Sequence, residues 1–476
     1  MSEGRPWGCW LCWCPVCAEP AGTGLAIKAV ACWRRPAPVA GVVTVTRCSR
    51  RSLLRGLGGL GLAIAGCTGL WPGPTPTPTP TPVRVQFLHL FGEDTPPGQT
   101  LRRLLRRFNE RRTGVVVESL FVAAGSYGAE KARLLASGTP PDIIWDEPTA
   151  RLMETPGLVA VEELFAGPDG FDAGRFPPLL LDFLRYKGRL WVMPFELSAI
   201  SVGINRDLFA RYGVAEPAFG WGWDEMVETA RRLTHPDRQE WGWGNTRSAW
   251  QWFDAIRSAG GRLWRTETRP VRSALDEPEA ILGVSRYADL WLKHQVTSLR
   301  APVDEFNRTG RYALWPTCVA VPGYGPALPF RYSATSVPVI HQPASLWCWK
   351  VLALFRRHEE RVRAAWLFVR WFYETENFLD WAIGAGYLPI TRDGLEHPRW
   401  RALVAADPGW QAPLWEIEHG YLYRWPLVPD VAGWFRHFQA AVDAILTQRT
   451  APAVALPAAA RAINALIDQG HCLGCD

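Results

Sequence analysis

The amino-acid sequence predicts an α/β fold in which a mostly parallel sheet is covered by helices. The first reason is the order of its elements: from residue 83, short apolar strands alternate with amphipathic helices, the order typical of this class. The second is composition, since 48% apolar and 21% charged residues exclude a largely disordered chain. The third is length, because 476 residues allow two or three domains of about 100–200 residues each.

Five consecutive segments carry the α/β prediction. They are a strand at residues 83–88, a helix at 99–112, a strand at 115–120, a short helix at 130–137 and a buried strand at 142–145. The first helix is indicated by apolar residues at helical spacing, with arginines on the opposite face. In open sheets of this kind, ligands bind beyond the carboxyl ends of the strands. Trp145, Asp146 and Glu147 leave the third strand at such an end.

Charge and motifs exclude several classes of function. The net charge of +6 is small for this length and does not indicate a nucleic-acid partner. The sequence has no phosphate-binding glycine loop, no H-E-x-x-H and no G-x-S-x-G, so we assign no catalytic residue and expect no cofactor. The histidines are scattered without metal-ligand spacing, so we predict no metal site among them.

The first 42 residues differ from the rest of the chain. Cys9, Cys12, Cys14 and Cys17 have the spacing of a zinc or iron–sulfur site, which is one interpretation. However, the segment has no hydrophobic period and no helix-capping signals, and an export signal follows it. We therefore interpret residues 1–42 as an upstream extension that does not belong to the native protein.

Residues 43–66 have the features of an export signal. Arg47, Arg50 and Arg51 precede an apolar run at residues 53–66, which is too short to span a bilayer core of about 30 Å. Residues 49–55 resemble the twin-arginine consensus, although general secretion remains an alternative. Residues 64–67 resemble the bacterial lipobox, which predicts lipidation of Cys67. The alternative is a buried Gly/Leu-rich helix followed by an unrelated cysteine.

The segment after Cys67 fits a tether. Residues 75–82 alternate strictly between Thr and Pro, a pattern that favours an extended polyproline II conformation. We therefore assign residues 67–82 to a lipidated cysteine and a semi-rigid linker that holds a folded domain away from a membrane.

Further along the chain, seven segments carry a family resemblance. They are residues 138–144 (GTPPDII), 191–194 (WVMP), 201–209 (SVGINRDLF), 212–234, 259–261, 306–314 and 386–389. In this order they resemble the extracellular solute-binding proteins of ABC transporters, in the maltose-binding-like, carbohydrate-type family. Two positions depart from the family pattern: Ile204 precedes Asn205 where a Tyr is usual, and residues 315–317 read Trp-Pro-Thr.

The resemblance implies a two-lobed periplasmic-binding-protein-like fold of type II with a hinge between the lobes. We expect the chain to cross near residues 194–198 and to return near 338–343. The N-terminal lobe would then comprise residues 83–196 and 342–391, the C-terminal lobe residues 197–341 and 392–470, and residues 471–476 would form a tail. The resemblance further implies an exported, monomeric lipoprotein on the outer face of the cytoplasmic membrane, which delivers a sugar-like small molecule to ABC permease subunits.

Candidate ligand-binding residues lie at strand ends and crossings. Sugars bind by stacking on aromatic rings while polar side chains take their hydroxyls, and the 26 tryptophans supply such rings. The candidates are Trp145, Asp146, Glu147, Glu196, Ser198, Trp250, Trp252, Tyr324, Trp347, Trp349 and Tyr387. For Trp145 and Trp347, cleft and core positions both remain open, whereas Trp291, Trp366, Trp371 and Trp381 lie in helical patterns and are expected in the core.

Two alternatives come from other residue patterns. A Trp-rich cleft with paired carboxylates also suits a secreted glycoside hydrolase, for which Asp146, Glu147 and Glu196 are the candidate acids. Cys472 and Cys475 end the chain and form a redox pair, a terminal disulfide or part of a frayed tail.

Overall fold

The computed structural model describes residues 81–167, 169–244, 252–265, 272–298, 309–317, 328–423 and 431–469, and it leaves out the side chains of residues 198, 348, 431 and 432. Our predictions for residues 1–80, Trp250, Tyr324, Cys472 and Cys475 lie outside the described residues. Within those ranges, no helix has both the length and the apolar character that a membrane span needs.

The described chain contains both strands and helices. The strands are β1 Val83–His89, β2 Val115–Phe121, β3 Ile143–Asp146, β4 Arg185–Tyr186, β5 Arg189–Leu190, β6 Met193–Ala199, β7 Ser201–Asn205, β8 Trp241–Trp243, β9 Tyr312–Thr317, β10 Tyr332–Thr335, β11 Ser345–Leu354 and β12 Leu422–Tyr423. The helices are α1 Pro96–Glu110, α2 Ala124–Ala136, α3 Ala150–Met153, α4 Pro178–Leu184, α5 Arg206–Tyr212, α6 Trp223–Arg232, α7 Phe253–Ser258, α8 Pro278–Leu292, α9 Glu359–Phe372, α10 Thr375–Ala385, α11 Arg392–Glu396, α12 Pro398–Ala406, α13 Ala412–Glu418, α14 Val431–Leu446 and α15 Pro452–Asp468.

The first sheet has the order β12-β11-β3-β1-β2, and β6 also pairs with β11. Strand β1 runs parallel to β2 and β3, which confirms the three strands predicted at residues 83–88, 115–120 and 142–145. Strand β11 runs antiparallel to β3 and β6. The sheet is therefore mixed rather than mostly parallel, because β11 enters it from the opposite direction.

The second sheet has the order β10-β7-β9-β8. Strand β7 is antiparallel to both β9 and β10, and β8 is parallel to β9. The expectation of a mostly parallel sheet is therefore wrong for the described part of this sheet. The reason is that β9 and β10 lie on either side of β7, and both are antiparallel to it.

Helix α1 begins earlier than the sequence pattern predicts. Thr95 caps it by accepting a hydrogen bond from the Gly98 backbone N–H at 3.2 Å, and prolines occupy the first helical positions, where the missing N–H costs nothing. The helix ends at Glu110, before Arg112 and Gly114 adopt positive φ angles. Its apolar face packs into the core, as the spacing predicted.

Buried side chains form two large cores. The first core is drawn mainly from residues 85–197 and 347–410, and the second from residues 200–346 and 421–463. Trp400 and Trp410 pack in the first core, although the sequence pattern led us to group residues 392–470 with the second lobe. Trp291 packs in the second core, and Trp366, Trp371 and Trp381 pack in the first.

In the ranges that the structure describes, the chain passes between the two cores at three places. The first crossing runs from β6 to β7 through Ile200, and the second runs from β10 to β11. Both lie next to the segments where we expected them. The third crossing, from α13 to β12, was not predicted, because a short helix followed by a two-residue strand has too little periodicity to stand out in sequence.

Gly98 allows the first turn of α1 to lie against the loop that follows β1. A Cβ atom at this position would lie 1.8 Å from the Gly92 carbonyl oxygen, so Gly98→Ala must displace the helix or the loop. We expect the free energy of unfolding to fall by about 1–3 kcal/mol, the range for overpacked sites, as measured by denaturant titration.

Gly125→Ala is the matched control. Gly125 lies in α2, and no other atom lies within 4 Å of the position that its Cβ would take. This variant should keep or raise stability, by up to about 1 kcal/mol. Equal stability of Gly98→Ala and the wild type would show that the α1 contact is looser than described.

Candidate ligand-binding site

Several predicted site residues meet where β3 ends. Asp146 closes β3, Glu196 lies on β6, and β11 runs between these two strands. We use the name β3-end cluster for the side chains that touch one another here. Its members are Lys131, Trp145, Asp146, Glu147, Glu196, Lys350 and Tyr387.

Glu196 is the most deeply buried acid of the β3-end cluster. Its Oε1 accepts a hydrogen bond from Trp145 Nε1 at 3.1 Å, and its side chain also bonds to Tyr387. Burial raises the pKa of Glu196 to about 8, while nearby Lys350 and the bonds from Trp145 and Tyr387 act in the opposite direction. At neutral pH the carboxyl is therefore mostly protonated and able both to donate and to accept hydrogen bonds.

Lys350 connects Glu196 to the exposed edge of the cluster. It is the cross-strand partner of Glu196, at a register shift between Lys350 and Val351. Its Nζ donates to Glu147 Oε1 at 2.5 Å and lies 5.4 Å from the centroid of the Trp145 ring, within cation–π range. Our sequence reasoning missed Lys350. The signal was a lysine inside an otherwise apolar strand, a position that is costly unless the charge is paired.

Lys131 of α2 holds the carboxylate of Asp146 in place. Its Nζ donates to Asp146 Oδ1 at 2.5 Å, and the same oxygen accepts the Glu147 backbone N–H at 2.8 Å. Tyr127, also on α2, donates its hydroxyl to the Trp145 carbonyl oxygen. Helix α2 therefore fixes the backbone and the side chains at the end of β3.

The remaining tryptophan candidates have different surroundings. Trp347 is only 4% exposed, and its ring centroid lies 4.5 Å from that of Phe183 and 4.8 Å from that of Trp349. Trp349 is half-buried against the first core. The structure thus places Trp347 in the core, one of the two positions left open by the sequence, whereas Trp145 combines 6% exposure with a polar contact to Glu196.

The structure corrects the prediction that Trp252 belongs to the ligand site. Its side chain is 0% exposed and stacks on Trp291, with ring centroids 5.6 Å apart and planes inclined by 8°. It precedes α7 and packs against α8 inside the second core, so it cannot reach a ligand. Ser198 pairs through its backbone with residue 348 on β11, and its side chain is not described. Trp250 and Tyr324 lie outside the described ranges.

The family of this chain follows from its sequence and agrees with the fold. The model of the bacterial extracellular solute-binding protein family matches residues 92–377, which is more than half of the chain. This chain belongs to that family. The maltotriose-binding protein of Pyrococcus abyssi is 23% identical over 333 residues, covering 66% of this chain and 67% of that protein.

Solved structures show the fold of this solute-binding protein. An ABC substrate-binding protein from Listeria monocytogenes, in complex with cycloalternan, has a TM-score of 0.71 at 18% identity and covers 81% of this chain and 99% of its own. A protein from Mycobacterium tuberculosis, in complex with glycerophosphocholine, has a TM-score of 0.70 at 18% identity over 82% of this chain and 99% of its own. The predicted two-lobed periplasmic-binding fold is confirmed.

Glu196 gives this solute-binding protein a testable pH dependence. The unfolded chain releases the carboxyl proton near the ordinary pKa of 4.5, whereas the folded protein keeps it up to about 8. The free energy of unfolding contributed by this group therefore falls as pH rises through that window. Relative to Glu196→Gln, the wild type should lose more than about 1 kcal/mol between about pH 5 and pH 8, since one pKa unit corresponds to about 1.4 kcal/mol.

The control for this measurement is Asp224→Asn. Asp224 is an acid in the first turn of α6 whose side chain is 90% exposed, so its loss should leave the slope unchanged. Parallel stability curves for the wild type and Glu196→Gln would rule out a protonated Glu196.

Proposed function

We propose that this protein captures a carbohydrate between its two lobes and delivers it to the permease subunits of an ABC importer. The observation that carries the proposal is the β3-end cluster. It places carboxyl, amine, phenol and indole groups together at the carboxyl end of β3 in the first lobe, beside the strand that crosses to the second. The name of the Pyrococcus relative and the sugar complex of the Listeria neighbour support the same ligand class.

The chemistry of the β3-end cluster suits a neutral, hydroxyl-rich ligand. Asp146 and Glu147 are each held by a lysine at 2.5 Å, which fixes their remaining acceptor capacity in space. Protonated Glu196 can donate to one sugar oxygen and accept from another. Tyr387 is half-buried and its ring packs 6.1 Å from that of Trp381, so we propose it as an aromatic face for the sugar.

Capture requires the two lobes to close around the ligand. Lobes connected by a few crossing segments bend as rigid bodies about those segments. A ligand that contacts both lobes stabilises the closed form, and a difference in affinity of about 10⁴-fold moves a two-state population almost completely. The permease would then distinguish the loaded form by its closed shape, and a monomer is sufficient for this cycle.

Glu147 offers the cleanest test of the ligand site, because its side chain is 25% exposed and lies at the rim of the cluster. Glu147→Gln keeps the size and an acceptor for Lys350 but removes the charge. Maltotriose binding, measured by isothermal titration calorimetry, should weaken about tenfold or more, since a hydrogen bond to a charged group contributes about 1.5–3 kcal/mol. Because Lys350 loses its charged partner in this variant, the melting temperature without ligand should fall as well, and the titration is made well below it.

Asp224→Asn should bind with wild-type affinity. The wild type should also be titrated with a monosaccharide, a polyol and glycerophosphocholine. If none of the sugars binds, the carbohydrate assignment is wrong, and binding of glycerophosphocholine alone would move the ligand to another class.

We further propose that the protein is exported and anchored to the outer face of the cytoplasmic membrane by a lipid on Cys67. The proposal rests on the lipobox-like residues 64–67 and on the Thr-Pro linker at 75–82, and it agrees with the extracellular location of the family.

Cys67→Ala should shift the protein from the membrane fraction to the soluble fraction of a cell lysate, as measured by immunoblotting after ultracentrifugation. Mass spectrometry of the wild type should find no residue before Cys67. Peptides that contain Cys9 or Cys17 in the mature protein, or an unchanged membrane fraction for Cys67→Ala, would contradict this proposal.

A further inference from the structure

Glu416 lies where the three crossings between the two cores come together. It belongs to α13, which leads into the third crossing. Its side chain is 0% exposed. Since the crossings are the covalent connections between the cores in the described part of the chain, a group that bonds to all of them affects how the lobes move.

The hydrogen bonds of Glu416 reach the other two crossings. Ser201, at the start of β7, donates its hydroxyl to Glu416 Oε2 at 2.9 Å. The backbone N–H of Val337, between β10 and β11, donates to Oε1 at 2.8 Å. Ser345, at the start of β11, also bonds to the carboxyl and donates its hydroxyl to the Ile200 carbonyl oxygen at 2.9 Å.

A second buried acid, Asp254 of α7, extends this arrangement. Its Oδ1 accepts the Leu346 backbone N–H at 2.7 Å and the Tyr423 hydroxyl at 2.9 Å. Leu346 belongs to β11, where the second crossing ends, and Tyr423 belongs to β12, where the third crossing ends. Two carboxyl groups therefore bond to all three crossings.

Within the described ranges, the groups that bond to Glu416 and Asp254 are hydroxyls and backbone N–H groups, and none of them is a cationic side chain. The other titratable or charged groups on the surrounding elements are Glu196 of β6, Arg257 of α7, His341 of the second crossing, Lys350 of β11, Asp407 before α13, Glu418 and His419 at the end of α13, and Tyr421 and Tyr423. Among the charged groups near Glu416, Asp254 is the one whose charge raises the pKa of Glu416.

Burial raises the pKa of Glu416 well above its ordinary value, and the Asp254 charge raises it further. Burial also raises the pKa of Asp254, to about 7, against the bonds from Tyr423 and Leu346. An ionised Asp254 therefore helps to keep the proton on Glu416.

We propose that Glu416 is a positioning residue of the interlobe hinge, whose neutral carboxyl group holds the three crossings together and whose ionisation releases them. The inference deepens the proposed function, because it assigns a residue to the closing motion that captures the ligand. With Glu416 neutral, the crossings move as one unit. An anion at this position, without a cation and beside Asp254, would draw in water and separate them.

Hydrogen exchange tests this assignment without any ligand. The full chain is compared by mass spectrometry at several pH values between about 6 and 10, with rates corrected for the intrinsic effect of pH. In the wild type, the amides of residues 199–202, 336–346 and 417–423 should lose about tenfold or more of their protection at the alkaline end. That loss corresponds to about 1.4 kcal/mol of local opening.

Three variants separate a titrating hinge residue from a merely structural one. Glu416→Gln cannot ionise, and it keeps the Val337 bond through its amide oxygen while its amide nitrogen can donate to the Ser201 hydroxyl, so it should stay protected across the whole range. Glu416→Ala should be poorly protected at every pH. Asp254→Asn should lose protection at a lower pH than the wild type, because the charge that holds the proton on Glu416 is gone.

If Glu416→Gln loses protection in the same way as the wild type, or the wild type loses none, the inference is wrong. If Glu416→Gln fails to fold, Asp254→Asn decides instead. The inference is wrong if Asp254→Asn loses its protection at the same pH as the wild type or at a higher pH. The proposed function fails separately, if no sugar binds while the exchange results stand.

Discussion

The antiparallel pairing of β11 with β3 and β6 brings together Trp145, Glu196 and Lys350 of the proposed ligand site. Trp145 and Asp146 on β3 and Glu196 on β6 belong to strands on either side of β11. The register shift beside Lys350 lets one side chain from the middle strand reach Glu147 and the Trp145 ring. Ser345 and Leu346, the first residues of the same strand, bond to Glu416 and Asp254 respectively. The proposed ligand site and the proposed hinge residue therefore contact the middle and the start of one strand.

Buried acids in this protein are stabilised in two different ways. Asp142 is 1% exposed in the first core and is bonded by both Nε and Nη2 of Arg361, at 2.7 and 2.5 Å, and by the Gln86 backbone N–H at 2.8 Å. That bidentate pair keeps a charge inside the protein. Burial instead raises the pKa of Glu196 and of Glu416, and the groups that hydrogen-bond to these two carboxyls are uncharged. Asp142 precedes β3 and Glu196 lies on β6 of the same sheet, whereas Glu416 lies beside the crossings between the two cores.

The sequence was sufficient for the parts of the fold that local pattern decides. Alternating apolar residues identified β1 to β3, and the carboxyl end of β3 pointed to Trp145, Asp146 and Glu147. The same reasoning failed for residues whose surroundings depend on contacts with distant parts of the chain. Trp252 has the residue type of a sugar-stacking ring, but its burial depends on Trp291 across the second core. Lys350 and Glu416 acquire their roles only through partners far along the chain, which no local periodicity reveals.

Strand β11 also constrains how the chain folds. Lys350 lies 203 positions after Glu147, and Ser201 lies 215 positions before Glu416, so the first sheet lacks its middle strand until most of the chain has been synthesised. Pairings at such separation carry a large loop-closure entropy and are formed slowly. The first lobe therefore cannot complete its sheet as an independent N-terminal unit during translation. The early strands must wait, with unpaired edges, for residues 345–354, which makes this stage of biogenesis the one most exposed to aggregation.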